Sequence, residues 1–535
     1  MMRRTFLKQT SSLAAGLALT TFSTISIADA VSDKLVVDTD NGKVRGKSAK
    51  DTQAFLGIPY GAPTGGKARF LPPVKAQAWT GVRDAFAYGN RAPQNAMPTN
   101  IPAEVKQLFR FSSDPMSEDC LVLNVWTPTA NRNAKKPVLF WCHGGGFAIG
   151  SGQEPDYDGA NLARDNDVVV VTVNHRLNVL GYLYLGDVIG DEYATGNAGM
   201  LDLVLALEWV RTNIANFGGD ANNVTIFGQS GGGAKVSMLL AMPSAQGLFH
   251  KAIIMSGPGL KVTPRDMATN SADALFKKLD LSKNDLRKLQ EIPAEQLVAL
   301  GGAMGRAGAG GLSFSPLVDG RSLLTQPWDP IAPAGSANVP ILIGSTKDEM
   351  TSLLMADPKY GTMTNEELLQ RVGFMLETKD ANKIVDFYRK LYPQHTPTDL
   401  LVDITTSTYM TVGSIQLAER KFAQSKAPVY LYMVTWETPV LGGMMRSPHG
   451  IDLPLVFDNT DIAKGLLGDG PAPQKMSELM SKSFVAFART GNPNHAGLPQ
   501  WPAFSTETRA TLHFDVNPTV VNDPNKAERL FWASL

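Results

Sequence analysis

The chain has 535 residues, 43% of them hydrophobic, and its 50 Lys and Arg balance 50 Asp and Glu to a formal charge of zero. That length and apolar content allow one large domain with a sizeable core. The mixed, balanced charge provides no basic stripe for nucleic acid and no acidic block of the kind that stays disordered, and it suits an enzyme of small molecules.

Residues 1–30 read as a leader and not as part of the fold. Arg3-Arg4 is followed by Phe6-Leu7-Lys8, an apolar run over 13–27, and Ala28-Asp29-Ala30, an A-x-A cleavage signal. The pattern resembles a twin-arginine export signal, with Met2 where Ser or Thr usually precedes the arginine pair. The run is too short and too rich in Ser and Thr to span a bilayer well. The expectation is therefore an exported protein, periplasmic or secreted, with no stable membrane anchor and a single domain over 31–535.

The domain opens with hairpin signals: Leu35-Val36-Val37, a turn at Asn41-Gly42, then Val44-Arg45-Gly46. Short strands and Pro-rich turns follow through Pro73. From Cys120 the pattern becomes strands alternating with helices. Residues 121–126 read as a strand, and the runs at 138–142 and 168–173 are apolar on both faces, as in central strands covered from both sides. Residues 201–215 carry Leu203, Leu207, Val210 and Ile214 on one helical stripe. Cys120 and Cys142, the only two cysteines, lie inside such apolar runs and read as buried free thiols.

Next comes the stretch that carries the chemistry. Val224-Thr225-Ile226-Phe227 leads into Gly228-Gln229-Ser230-Gly231-Gly232, and residues 234–242 read as a helix. This is the G-x-S-x-G nucleophile elbow, a sharp strand-to-helix turn that lifts a serine hydroxyl clear of the backbone. Between 257 and 311 the strands stop, and amphipathic helices at 272–279 and 282–300 lead into a Gly/Ala-rich loop, read as a helical cap inserted over the sheet. Strands resume at 339–344 and 429–434. The whole is a doubly wound α/β pattern.

A serine hydroxyl needs a base, an orienting acid and an anion hole. His143-Gly144-Gly145-Gly146-Phe147, just after the apolar run ending at Cys142, supplies glycine N–H groups suited to an oxyanion, and the Gly231 N–H after the serine faces the same place. His143 reads as a structural hydrogen-bonding residue. In α/β-hydrolase order the acid and then the base follow the serine. Of the later histidines, His250 precedes any suitable acid, His395 and His495 sit in polar turns, and His513 alternates within an apparent edge strand. His449, in Ser447-Pro448-His449-Gly450, follows a buried strand and leads into a helix, which makes it the candidate base. For the acid, Asp348 and Glu349 stand side by side after the strand at 341–344, and spacing does not choose between them. No metal or cofactor is called for.

Longer blocks carry a family resemblance. Ser117-Glu118-Asp119-Cys120-Leu121-Val122-Leu123-Asn124-Val125 and Phe217-Gly218-Gly219-Asp220-Ala221-Asn222-Asn223-Val224-Thr225-Ile226-Phe227-Gly228-Gln229-Ser230 resemble the two signatures of the type-B carboxylesterases, the family that includes the cholinesterases. Smaller matches run from about Val36 to Trp532. The resemblance implies an α/β-hydrolase fold with a large, mostly parallel mixed sheet, and ester hydrolysis through an acyl-enzyme. It also implies Glu349 as the acid, His449 as the base, and Gly145, Gly146 and Gly231 as oxyanion donors.

The departures are informative. Gln229 stands where the family usually has Glu, Gly231 where Ala is common, and Met350 where Gly follows the acid. Position 92 is Ala, so Cys120 lacks the family's usual partner, and the loop 95–118 has no Trp for choline. Phe147, Gln229, Met444 and Met445 are the candidate substrate contacts, the thioethers suggesting a broad apolar site. The alternatives are an amidase, carbamate hydrolase or peptidase on the same fold, and a non-catalytic adhesion protein.

Overall fold

The computed structural model describes residues 35–96, 108, 110–301, 312 and 314–535. Residues 1–30, expected as a leader, lie outside the described residues, as do parts of 95–118 and 301–311.

Fourteen strands are seen among the described residues: β1 (Val36–Thr39), β2 (Gly42–Arg45), β3 (Lys47–Ala49), β4 (Thr52–Pro59), β5 (Val82–Asp84), β6 (Val122–Thr127), β7 (Lys136–Cys142), β8 (Val169–Val173), β9 (Gly219–Gln229), β10 (Lys251–Met255), β11 (Ile341–Thr346), β12 (Val429–Val434), β13 (Ala510–Phe514) and β14 (Thr519–Asn522). The hairpin signal at Asn41-Gly42 is the β1–β2 turn, Thr39 pairing with Gly42. These two strands and β5 form a small sheet at one side.

The other eleven strands form one sheet in the order β14-β13-β12-β11-β10-β9-β7-β8-β6-β4-β3. Pairing is parallel from β8 across to β13 and antiparallel at both ends. The strands from β6 to β12 are Val-, Ile- and Leu-rich because both their faces are covered: β8, β10, β11 and β12 are buried along their whole length. One core packs Val171, Phe140, Ile226 and Ile254 beneath the helix Ala198–Asn213, and the other packs Trp141, Phe227 and Tyr432 against the helix Pro471–Thr490. His513 sits on β13, which is not an edge strand: β14 pairs outside it.

The helical stretch between β10 and β11 contains Arg265–Lys278, Leu286–Glu291 and Ala294–Ala299. The single helix expected at 282–300 is broken because Ile292, immediately before Pro293, takes an extended conformation (ψ 134°) that a helix cannot continue through. A second helical block, not foreseen from the sequence, lies between β11 and β12: Asn365–Met375, Ala381–Leu391, Pro397–Thr406 and Val412–Ala423. It has its own small core of Leu368, Val372, Ile384, Tyr388 and Leu401. Both cysteines are free and buried. Among the described residues no helix is long and apolar enough to cross a membrane.

Candidate active site

Ser230 sits between the end of β9 and the helix Gly231–Leu239, with φ 59° and ψ −125°. A non-glycine residue holds such a backbone only where its surroundings impose it. Here they do so by close contact. A Cβ on Gly228 would lie 2.5 Å from the Gly232 carbonyl group, and one on Gly232 would lie 2.0 Å from the Cys142 oxygen. The chain therefore doubles back tightly enough to leave the serine at the tip of the turn.

The glycine loop after β7 lies directly against this turn. A Cβ on Gly231 would lie 2.3 Å from the Gly146 oxygen and 2.6 Å from the Gly146 nitrogen. Gly145 and Gly146 have φ 86° and 63°, so both take left-handed conformations that glycine adopts without strain. Among the described residues, their N–H groups find no protein acceptor. The Gly231 N–H is free as well, as the first amide of its helix. Three donors are thus left unpaired beside the serine.

On the other side, His449 Nδ1 lies 2.5 Å from Glu349 Oε2, and the Thr346 N–H donates to Glu349 Oε1 at 2.7 Å. The His449 N–H also donates to the Glu349 carbonyl at 3.1 Å, tying the two loops together. Glu349 is fully buried. Burial alone would lower the imidazole pKa, but the Glu349 charge and hydrogen bond, helped by Asp452, outweigh it and hold His449 above 6.5.

Asp348 turns the other way. Its carboxylate accepts from the Ser447 N–H at 3.3 Å and lies 3.6 Å from Arg446 and 3.8 Å from Lys347. Of the two adjacent acids, Glu349 is the one that reaches the imidazole. A cavity of about 520 Å³ opens beside Asp348, His395, Asp403 and Arg446, but Ser230, Glu349 and His449 do not line it.

Gln229 links the two sides. Its Nε2 is 3.1 Å from His449 Nε2 and 3.4 Å from Nδ1. A group so nearly equidistant from both ring nitrogens must sit over the ring face, because an in-plane position would collide with Cε1. The amide therefore covers one face of the imidazole.

Of the other expected contacts, Phe147 is partly buried and packs edge-on against Tyr182 at 5.3 Å. Met444 is 55% exposed. Met445 is a correction: its side chain is fully buried in the core cluster that includes Trp436 and Leu455, where it fills space. Its carbonyl accepts from Thr351 Oγ1 at 2.9 Å, which helps anchor the loop that carries His449.

Two charged residues here had no motif to mark them. Asp452, fully buried at the start of the helix Asp452–Val456, has no hydrogen-bond partner for its carboxyl oxygens among the described residues and couples electrostatically to Glu349 and His449. Burial first, and then the Glu349 charge, push it up to about 7. Lys235, on the helix after Ser230, is also fully buried. The only sequence signal for either was a charged residue within an apolar run. Among the described residues, no cluster of His, Cys, Asp and Glu could hold a metal ion.

A serine at this turn, on this sheet, makes the protein an α/β hydrolase. Its family follows from comparison: the chain matches the Carboxylesterase family over residues 33–532 and belongs to it. It is a carboxylic ester hydrolase of the serine class. It is 37% identical over 504 residues to the para-nitrobenzyl esterase of Bacillus subtilis (strain 168), covering 92% of this chain and 97% of that one. It is 32% identical to the phenmedipham hydrolase of Pseudarthrobacter oxydans, covering 89% and 94%. The Geobacillus stearothermophilus carboxylesterase EST55 superimposes with a TM-score of 0.82 at 38% identity, over 93% of this chain and all of that one.

Proposed function

We propose that Ser230 is the nucleophile, His449 the general base and acid, Glu349 the orienting acid, and Gly145, Gly146 and Gly231 the oxyanion donors, acting on neutral carboxylic esters. The observation that carries this reading is the His449–Glu349 pair standing beside the strained Ser230 turn, with three free N–H groups across from it. Ser230 Oγ attacks the ester carbonyl carbon while His449 Nε2 takes its proton. The carbonyl electron pair moves onto oxygen, where the glycine N–H groups receive the charge. Collapse of the tetrahedral species breaks the bond to the alcohol, which leaves with the proton from His449. Water then repeats the sequence on the acyl-enzyme and releases the acid.

The preference for neutral esters rests on Gln229. An amide over the imidazole adds no negative potential that would draw in a cationic alcohol group. A twin-arginine-type leader that delivers the protein outside the cytoplasm belongs to the same reading, supported by Arg3-Arg4 and Ala28-Asp29-Ala30. The test of the centre is labelling with a fluorophosphonate followed by peptide mapping. The expected label is on Ser230, and Ser230→Ala should lose label and about three or more decades of kcat. Label or activity retained in a folded Ser230→Ala protein would move the nucleophile elsewhere.

A further inference from the structure

The helix that follows Ser230 carries a charge that the mechanism above does not use. Lys235 is fully buried, and its Nζ donates to the His143 carbonyl at 2.9 Å. That carbonyl belongs to the residue that opens the glycine loop. The ammonium also lies 5.5 Å from the centre of the Phe147 ring, at the loop's other end. Among the described residues no carboxylate comes within ion-pair distance of it. A buried lysine without a counter-charge is costly and persists where the charge has a use.

We propose that Lys235 is a positioning residue for the oxyanion loop, pinning it through the His143 carbonyl and adding a fixed positive charge behind the tetrahedral anion. The proposal rests on reading Ser230 and the three glycines as nucleophile and anion hole. Lys235 is four residues beyond Gly231, about 6 Å along the helix axis, so its charge lies close behind the loop.

The neighbouring groups leave this cation as the local source of charge. Cys142, at the end of β7, is a buried thiol pushed up to about 12 by burial. His143, whose Nδ1 is 2.8 Å from the Gly144 carbonyl, and His175, whose ring lies 4.6 Å from that of His143, face Lys235 from the loops after β7 and β8. Burial, followed by the Lys235 charge, holds both imidazoles well below 6.5 and therefore neutral. Tyr182, on the next helix, is a buried phenol kept neutral by burial. Beyond it Arg176 and Asp202 neutralise one another at 2.7 Å. On the open side stands the His449–Glu349 pair.

Burial also pushes the Lys235 ammonium down to about 7. The charge is therefore lost within an accessible pH range. At an effective dielectric of about 20, a unit charge about 8–10 Å from a developing anion is worth a rate factor of roughly 10 to 30.

The experiment is the pH dependence of kcat/KM on a neutral chromogenic ester for wild type, Lys235→Met and Lys235→Gln, with melting temperature and fluorophosphonate labelling of each. Met matches the lysine stem without its charge, relieving the cost of a buried ammonium while leaving the His143 carbonyl unpaired, and the melting temperature separates a loss of rate from a loss of fold. Gln keeps a donor for the His143 carbonyl but carries no charge. We expect wild type to fall on the alkaline side as Lys235 deprotonates. Both variants should still label at Ser230, be slower by about 10- to 30-fold at the wild-type optimum, and show no alkaline fall. Wild-type rate and an unchanged alkaline limb in either variant would overturn the proposal. Restoration of the full rate by Lys235→Gln would do the same to the charge, leaving only a hydrogen bond. Failure of the parent reading is separately visible, as label that survives Ser230→Ala.

Discussion

The proposed nucleophile half of the site, residues 142–147 and 228–232, and the proposed acid–base half, residues 346–350 and 446–452, meet at one imidazole but are held by different forces. The first half is backbone against backbone. A Cβ added to Gly228, Gly231, Gly232 or Gly257 would fall within 2.5 Å of main-chain atoms, the last 2.0 Å from the Ser230 oxygen. The second half is a ladder of hydrogen bonds between two loops: Asp348 N–H to Ser447 O at 3.0 Å, His449 N–H to Glu349 O at 3.1 Å, and Ser447 Oγ to Val434 O at 2.8 Å. Steric contact leaves no room for a side chain. A ladder in which each rung contributes about 1 kcal/mol can lose one rung and persist. The comparison teaches that the nucleophile half should fail abruptly on the smallest addition, whereas the acid–base half should fail only where a charge touching the imidazole is removed.

The largest effect expected in the acid–base half is from Glu349→Gln. Removing the charge that stabilises the imidazolium should lower kcat by about 10³ or more. It should also shift the pH profile. Glu349 favours the protonated form, so the acid limb of wild type should lie higher than that of an ordinary imidazole, as His449 gives up its proton. The stability that the His449 charge contributes is present below its unfolded pKa and is lost as pH rises through the higher folded value. In Glu349→Gln the acid limb of kcat/KM should move down. A limb that stays in place would show that another group sets it.

Gly231→Ala tests the steric half. Ala is common at this position in the family, but in this chain its Cβ would fall 2.3 Å from the Gly146 oxygen, so here the loop must move and carry its donor away. We expect kcat to fall by roughly 10²-fold with KM little changed, as when one oxyanion donor is lost. Wild-type kcat would mean that the loop yields without cost, and the contrast between the two halves would collapse.

Asp348→Asn should be much milder, a few-fold in kcat, since it touches Arg446 and the Ser447 N–H and not the imidazole. A loss matching that of Glu349→Gln would make the acid–base half as brittle as the other.

The smallest effect belongs to Gln229→Glu. A carboxylate over the imidazole face should raise the acid limb further and improve the relative rate with a quaternary-ammonium ester over a matched neutral one. An unchanged limb and an unchanged ratio would separate residue 229 from the charge balance of the site.

Legibility followed the same division. The nucleophile half could be read because its constraints are local: Gly228, Ser230 and Gly232 lie within five residues, and their steric need is written as glycine. The sheet was equally readable, because strands buried on both faces must be apolar throughout, as β8 and β12 are. The helical block at 365–423 carried weaker signals. Thr364 with Glu367 and Thr396 with Asp399 are capping boxes seen in the structure, yet short polar motifs of this kind recur by chance.

By itself the sequence determined the α/β order, the elbow, the glycine loop and His449 as candidate base, because each depends on neighbours along the chain. Spacing left Asp348 and Glu349 open and the family resemblance pointed to Glu349; the tertiary structure adds the physical reason, since adjacent side chains differ in direction and Glu349 is the one that reaches His449, 100 residues away. It moved Met445 from a pocket to the core for the same reason. It also placed Lys235 and Asp452 in the interior beside the reacting groups. Burial is what gives those two charges their chemical weight, and burial is a property of the packed molecule that no short run of residues encodes.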